Sequence, residues 1–361
     1  MAKLGDVCTI VSGSTPKSNV PEYWDGDIKW ITPAELNEGS YIIHDSVRHI
    51  TELGVEKTGL KPFPKGTVIL SSRAPIGKTA IAGCEMYCNQ GFKNLICSDK
   101  IDPRYLYWFL SAKTDYLNSL GRGATFKEIS KEIVANVEIP LPPIPEQIAI
   151  AERLQKTSNV ISLRKEQLAK LDELVKARFV EMFGDTEINP HKFPVRYWNE
   201  VFITTTGKLD SNAMVDGGQY PFFTCAKEHF WIDKYAFDCE ALLLAGNNAA
   251  GVYDVKHYKG KFNAYQRTYV LQLLDKSWSY LLFKRQLEDK LIFLQNQSKG
   301  TNTRYLTLGI LRELRFIIPP KELQREFATF VEQTNKTKLT IQASLDKLEV
   351  MKKALMQEYF G

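Results

Sequence analysis

Residues 72–79 read SRAPIGKT, which ends in the Gly-Lys-Thr of a nucleotide-binding loop. In such a loop the glycines let backbone N–H groups wrap the phosphates, and the lysine reaches the terminal ones. Ser72 stands where the first glycine belongs, and Pro75 removes one of the N–H donors a phosphate nest uses. A working loop also needs a strand before it and a helix after it. The strand is present as TVILSS, but the following TAIAGCEMYCNQ has Gly83 within five residues and no apolar helical stripe. ATP chemistry is therefore not expected here.

Other catalytic constellations are missing too. No Asn-Pro-Pro-aromatic tetrapeptide of a DNA methyltransferase occurs, since NPHK at Asn189 lacks both the second proline and the aromatic. Asp254-Val-Lys matches a fragment of nuclease sites but has no identifiable partner acid. The five histidines are scattered, and the six cysteines show no Cys-x-x-Cys spacing. They read as reduced, packed thiols, so neither catalysis nor a metal is expected. What remains is binding.

Hydrophobic residues at 44% and charged residues at 25% are ordinary for a soluble globular protein, and 361 residues suffice for two cores. No apolar run would span a bilayer, and the start MAKLGDVCTIVSG lacks a secretory signal pattern, so a cytoplasmic, membrane-free location is expected. The net charge of +5 is mild. Residues 1–143 balance acid against base, whereas 184–320 are slightly basic, with a basic and aromatic cluster KHYKGKFNAYQR at 256–267. Such a cluster suits a phosphate backbone and base faces, and it equally suits a solvated hairpin.

Self-comparison organises the chain. A shift of 177 residues lays PPIPEQ (142–147) on PPKELQ (319–324), Leu168 on Leu345, Leu171 on Leu348, and Phe183-Gly184 on Phe360-Gly361. Gly123 falls on Gly300 and Ile133 on Ile310 without a gap. A weaker shift of 174 pairs Asn89 with Asn263 and Lys93 with Arg267. It also puts Gly246 under Ser72 and Gly251 under Gly77, but Val252 and Tyr253 under Lys78 and Thr79. The second copy keeps the turn and discards the lysine, so the turn is the shared requirement.

Each copy ends in a helical segment. Leu154, Ile161, Leu168, Val175 and Met182 recur every seven residues in the first, widened by Leu171 and Leu174. Phe327, Ile341, Leu348 and Leu355 keep the same register in the second, with Thr334 as its polar member, and Leu345 and Met351 beside them. Sustained heptads mean helices that pack along their length, each starting after a proline pair. About 38 residues at ~1.5 Å each make a rod of roughly 57 Å. An antiparallel pair is expected. The polar seam members Thr157, Arg164, Lys338 and Lys352 suit either faces offered to another protein's helices or the edges of an ordinary helix pair.

The mixed segments read as α/β. TVILSS and NLIC are expected strands and 102–120 an amphipathic helix; EALLLAG, YVLQLL and 278–294 match them in the second copy. Tyr105, Trp108, Phe109 and Tyr116 are read as core. The expected fold is thus mixed α+β with an internal pseudo-twofold repeat. Its pieces are 1–143, a helix in 144–184, 185–320, and a helix in 321–361.

Several stretches then become familiar. LGDVCTIVSGSTPKSNVPEYWDGDIKWITPAEL (4–36) and IPLPPIPEQIAIAERL (139–154) resemble specificity subunits of type I restriction-modification systems, as do FNAYQRTYVL and RFIIPPKELQREFATFV. The resemblance covers essentially the whole chain, and its specific part is the duplicated Pro-Pro-to-helix junction. It implies two target-recognition domains separated by an antiparallel pair of long coiled-coil spacer helices. Each domain would read one half of a bipartite, asymmetric double-stranded DNA target, and the helices would set the gap. It implies no catalysis in this chain, but docking of two modification (methyltransferase) subunits and, through them, restriction subunits. S-adenosylmethionine, ATP and Mg would sit on those partners. PPKELQ departs from the Pro-Glu-Gln pattern, so the second junction reads as a degenerate copy. The chain stops at Gly361, as in a compact member or a truncated chain.

No motif identifies base contacts, so the candidates follow from side-chain chemistry near the glycine-permitted turns. Arg and Lys suit guanine edges and phosphates, and Asn and Gln suit adenine edges. This nominates Arg73, Lys78 and Lys93 in the first copy and Asn247, Asn248, Lys261, Gln266 and Arg267 in the second, with Arg122, Lys127 and Arg304 as phosphate contacts. Leu154, Ile161, Leu168, Leu171, Val175, Phe327, Ile341, Leu345, Leu348 and Leu355 are the candidate partner-docking seam. The competing reading is a coiled-coil scaffold whose α/β heads bind proteins and have no sequence-dependent affinity for DNA.

Overall fold

The computed structural model describes residues 1–37, 39–123 and 127–361. The chain forms two compact units, Met1–Lys165 with Ala343–Gly361, and Glu166–Gln342. Each contains one mixed segment and part of both long helices, Ile144–Phe183 and Lys321–Phe360.

In the first unit a five-stranded sheet runs in the order Cys8–Val11, Asn94–Cys97, Val68–Leu70, Thr79–Ala82, Ile42–Ile43. Its pairs are antiparallel except the last. A smaller sheet places Trp24–Ile31 between Arg48–Ile50 and Tyr87–Cys88. There the Arg48 guanidinium lies 3.6 Å from the centre of the Trp24 ring, which itself packs edge-on against Trp30. Ala2 pairs with Ile139, so the start of the chain is tied to the strand that leads into the first long helix.

The second unit has a six-stranded sheet in the order Phe202–Thr206, Thr268–Leu273, Phe237–Ala245, Val255–Ala264, Tyr220–Phe223, Phe230–Ile232. Val195–Tyr197 pairs with Arg315–Ile317, repeating the tie between Ala2–Lys3 and Glu138–Ile139.

The helix expected over 102–120 is two helices, Pro103–Ala112 and Thr114–Ser119, and its counterpart is Tyr280–Asp289 and Leu291–Gln297. The breaks fall at Lys113 and Lys290, which are 177 residues apart. Lys113 leaves helical geometry, with φ/ψ of −103°/17°, whereas Lys290 stays at the edge of the right-handed helical region at −89°/−2°. Neither residue is a breaker by type, so no sequence signal marked the break. In Pro103–Ala112 six consecutive residues, Tyr105 to Leu110, are buried. One side packs on the sheet core, and on the other Tyr105 and Phe109 meet Phe360 with ring centres 5.3 and 5.8 Å apart. Tyr116, expected in the core, is exposed on Thr114–Ser119, where Leu117 is the buried residue.

Within each unit the long helices run antiparallel. In the first, Arg153 meets the Tyr359 hydroxyl at 2.9 Å and Lys165 meets Glu349 at 2.9 Å. In the second, Arg178 meets Glu326 at 2.6 Å and Lys338 pairs with Asp172. The seam residues Leu154, Ile161, Phe327, Leu345 and Leu355 are buried, and Leu168, Leu171, Val175, Ile341 and Leu348 half-buried. Leu174 and Met351, expected to widen the seams, are instead exposed.

The polar seam members are used internally. Thr157 and its repeat partner Thr334 are buried and donate to the carbonyls of Arg153 and Phe330 one turn earlier. Lys352 donates to Ser158 Oγ at 3.4 Å and lies 5.0 Å from the Trp108 ring centre. Burial, with Lys165 nearby, pushes its ammonium below the ordinary lysine range. Of the two uses open to these residues, the structure favours the internal one for Thr157, Lys338 and Lys352.

Candidate nucleic-acid interface

SRAPIGKT is the turn of a β-hairpin between Val68–Leu70 and Thr79–Ala82. No helix follows it, so it cannot present a helix N-terminus to a phosphate. Gly77 takes φ +93° and a side chain there would press on Thr114; its counterpart Gly251 takes φ +69°. Lys78 Nζ donates to the carbonyl of Leu36 at 2.6 Å and lies 3.4 Å from that of Pro33, tying the hairpin to a neighbouring loop.

Ser72 is the meeting point of three segments. Its N–H donates to Gly91 O at 2.8 Å, and its carbonyl accepts from Ile129 N at 3.0 Å. Arg122 and Glu128 exchange backbone hydrogen bonds at 3.0 and 2.9 Å, and Arg73 bridges to Glu128 as well. The second unit repeats this around Gly246. Its N–H donates to Arg267 O at 2.8 Å, and its carbonyl accepts from Leu306 N at 2.8 Å. Lys299 and Tyr305 exchange bonds at 3.1 and 2.8 Å, and Asn247 pairs with Tyr305. Each of Lys299, Tyr305 and Leu306 lies 177 residues after its counterpart.

The same backbone knot carries different side chains. In the first unit Glu128 accepts from Arg73 Nε at 2.9 Å and Lys93 Nζ at 3.2 Å. Lys93 is buried at 8% exposure and also reaches Ser72 Oγ at 3.3 Å, whereas Arg73 stays exposed. Partial burial opposes ionisation of Glu128, but its two cationic partners outweigh that and hold the carboxyl below its ordinary range. Arg122 and Lys127 are exposed beside this cluster.

In the second unit Tyr305 replaces the acid, and Arg267 is exposed. Gln266 Nε2 donates to Asp210 at 3.3 Å, and Arg304 Nη1 to Gln295 O at 3.3 Å. Asn248 Oδ1 accepts from Ala250 N and Val252 N, so it shapes the turn, while Asn247 is half-buried beside it. Thr206, Gly246, Gln266, Arg267, Tyr269 and Leu306 line a recess of about 160 Å³. Lys261 is not part of this group. It pairs with Asp238 at the far end of a ladder whose other end is Leu244 with Val255, and it lies over the Tyr235 ring at 4.7 Å.

Of the nominated residues, then, Arg73, Lys78, Lys93, Arg122 and Lys127 gather around one knot and Asn247, Asn248, Gln266, Arg267 and Arg304 around the other. Glu128 and Tyr305 were not nominated. The ungapped 177-residue shift aligned them, and an acid amid GRGATFKE was the signal available. Among the described residues no group of three or more His, Cys, Asp or Glu could hold a metal ion. Among the described residues no helix is long and apolar enough to cross a membrane.

The sequence profile of the Type I restriction modification DNA specificity domain matches residues 1–173 and again 190–350. The chain belongs to this family of specificity subunits. The double match coincides with the two knots, one in each matched stretch. The chain is 41% identical over 188 residues to the type I restriction enzyme MjaIX specificity subunit of Methanocaldococcus jannaschii, covering 51% of this chain and 44% of that protein. It is 34% identical over 163 residues to the EcoDI specificity subunit of Escherichia coli, covering 44% and 35%. These matches span less than half of either relative. The EcoprrI specificity subunit of E. coli aligns over 358 residues at 23% identity, covering 91% and 86%. Among solved structures, the S subunit of a type I system from M. genitalium superposes with a TM-score of 0.67 at 15% identity, covering 99% of this chain and 95% of that one. That likeness establishes the shared two-domain fold.

Proposed function

We propose that this specificity subunit reads a split DNA target, one half through each knot, and performs no chemistry itself. The observation that carries this is one three-segment backbone arrangement built twice, around Ser72 and Gly246, with different side chains at equivalent positions. A constant scaffold with changed polar groups is what two readers of different sequences require. Arg73, Arg122 and Lys127 suit guanine edges and phosphates, and Asn247 and Gln266 suit adenine edges. Lys78, Lys93 and Asn248 act as supports, because they are buried or half-buried as well as bonded within the protein. Arg73 and Gln266 are instead exposed and keep polar atoms beyond their bonds to Glu128 and Asp210. An asymmetric bipartite target follows from the difference between the knots.

On this reading the spacer helices set the gap and dock two methyltransferase subunits, through which restriction subunits join. S-adenosylmethionine, ATP and magnesium belong to those partners, in the cytoplasm. The apolar side chains the helices leave open support docking: Leu163 and Val350 in the first unit and Val180 and Leu339 in the second are all more than half exposed.

The test is methylome sequencing of cells that express this chain with its cognate modification subunit. A new N6-methyladenine motif in two parts is expected, and exchanging residues 1–143 for those of another family member should change one part only. A stable complex that yields no new motif would overturn the reading and favour a protein-binding scaffold.

A further inference from the structure

Two glutamines are buried where each long helix begins. Gln147 is the fourth residue of Ile144–Phe183 and 0% exposed; Gln324 is the fourth of Lys321–Phe360 and 1% exposed. Burying a primary amide is unfavourable unless its groups are hydrogen-bonded, and these are. Gln147 Oε1 accepts from Asp102 N at 2.9 Å, while its Nε2 donates to Lys100 O at 3.1 Å and Pro142 O at 2.8 Å. Gln324 Oε1 accepts from Ser279 N at 3.0 Å, and its Nε2 donates to Pro319 O at 2.8 Å.

Asp102 and Ser279 are the N-caps of Pro103–Ala112 and Tyr280–Asp289, and their side chains already cap those helices. The N–H of an N-cap residue lies outside the helix, where a Glu or Gln at the third helical position commonly satisfies it. Here those positions hold Tyr105 and Leu282, which cannot. The long helix supplies the missing acceptor instead. The amide is satisfied in one orientation only, because a flipped amide would aim N–H₂ at N–H and oxygen at carbonyls. The flanking sequence diverges between IPE and KEL while the glutamine persists, so the second junction keeps its contact despite its altered sequence.

We propose that Gln147 and Gln324 are positioning residues that lock each recognition segment to its long helix and thereby restrict the enzyme to one gap length between half-sites. This rests on the split-target reading above. Loosening a clamp lets the reading loops pivot about the helix without altering their own chemistry.

The test uses the full chain with its modification subunits and a pool of duplexes that keep the wild-type half-sites and vary the gap one base pair at a time. For Gln147→Met and Gln324→Met, methylation at gaps one base pair longer or shorter should rise about tenfold relative to the cognate gap, with the half-site bases unchanged. A folded, assembled variant with wild-type gap discrimination, or with altered half-site bases, overturns the proposal. Hydrogen exchange of the wild-type chain provides a second measurement that holds even where a variant does not fold. Asp102 and Ser279 amides protected like the helix interior support the clamp, and exchange at loop rates overturns it. If the wild-type complex marks no split motif, the proposed function fails while the exchange result still decides the clamp.

Discussion

Glu128 offsets the positive charge of the first knot, because it accepts from both Arg73 and Lys93. Its folded-state pKa is depressed, so its stabilising contribution is complete above the ordinary value of 4.5 and is lost as pH falls through the lower folded value. Glu128→Gln should therefore lower the melting temperature at neutral pH, and the gap between variant and wild type should close in melts taken well below pH 4.5. The cost at neutral pH is about 1–2 kcal/mol, since buried Lys93 loses its acid. At the second knot Arg267 is exposed, and the position equivalent to Glu128 holds Tyr305. Arg267→Ala should cost about 1–3 kcal/mol of binding if it reads a base and relax only the second half-site. Anisotropy titrations of the assembled complex on matched and mismatched duplexes measure both effects.

At the scale of elements, the breaks at Lys113 and Lys290 are equivalent in position but differ in support. Lys290 is 5% exposed, and its ammonium bonds to Glu187 at 2.5 Å; Arg315 shares the same carboxylate at 3.1 Å. The Lys290 bond, against partial burial, holds Glu187 below the ordinary carboxylate range. Glu187→Gln leaves a buried cation without its acid and should destabilise the second unit by about 1–2 kcal/mol. That is less than for a fully enclosed pair, because the carboxylate is more than half exposed. Urea titration of the variant against wild type gives the difference. The strands and long helices were readable from apolar spacing, but these breaks were not. Neither break is marked by Pro, Gly or a change of period, and the groups that hold Lys290 lie far from it in the sequence.

At the scale of the whole molecule, the long helices bury expected heptad members such as Leu154, Ile161, Phe327 and Leu355 together with residues outside that register, among them Ile150, Phe179, Phe183, Val331 and Phe360. Leu339 and Val350, at 73% and 70% exposure, remain available to a partner. Leu339→Lys and Val350→Lys should each improve recovery of the isolated chain and weaken capture of the modification subunit in a pull-down, leaving the melting temperature nearly unchanged. A loss of thermal stability equal to that of a core substitution would place these side chains inside the fold and refute the assignment.

By itself the sequence determined the duplication, the two long helices that follow their proline pairs, the positions of several strands, and the failure of SRAPIGKT as a phosphate loop. Each of these is written in local spacing, in residue type, or in a constant 177-residue offset. Only the tertiary structure decided which polar groups meet. Arg73 and Glu128 are 55 positions apart and come together because the hairpin turn and the segment before the first long helix cross at Ser72. Gln147 finds the Asp102 N–H 45 positions away. Hydrogen bonds over such separations depend on strand order and helix packing, which periodicity within a segment does not encode. For the same reason Lys78 and Lys93 looked like free cations in the sequence and are engaged side chains in the fold.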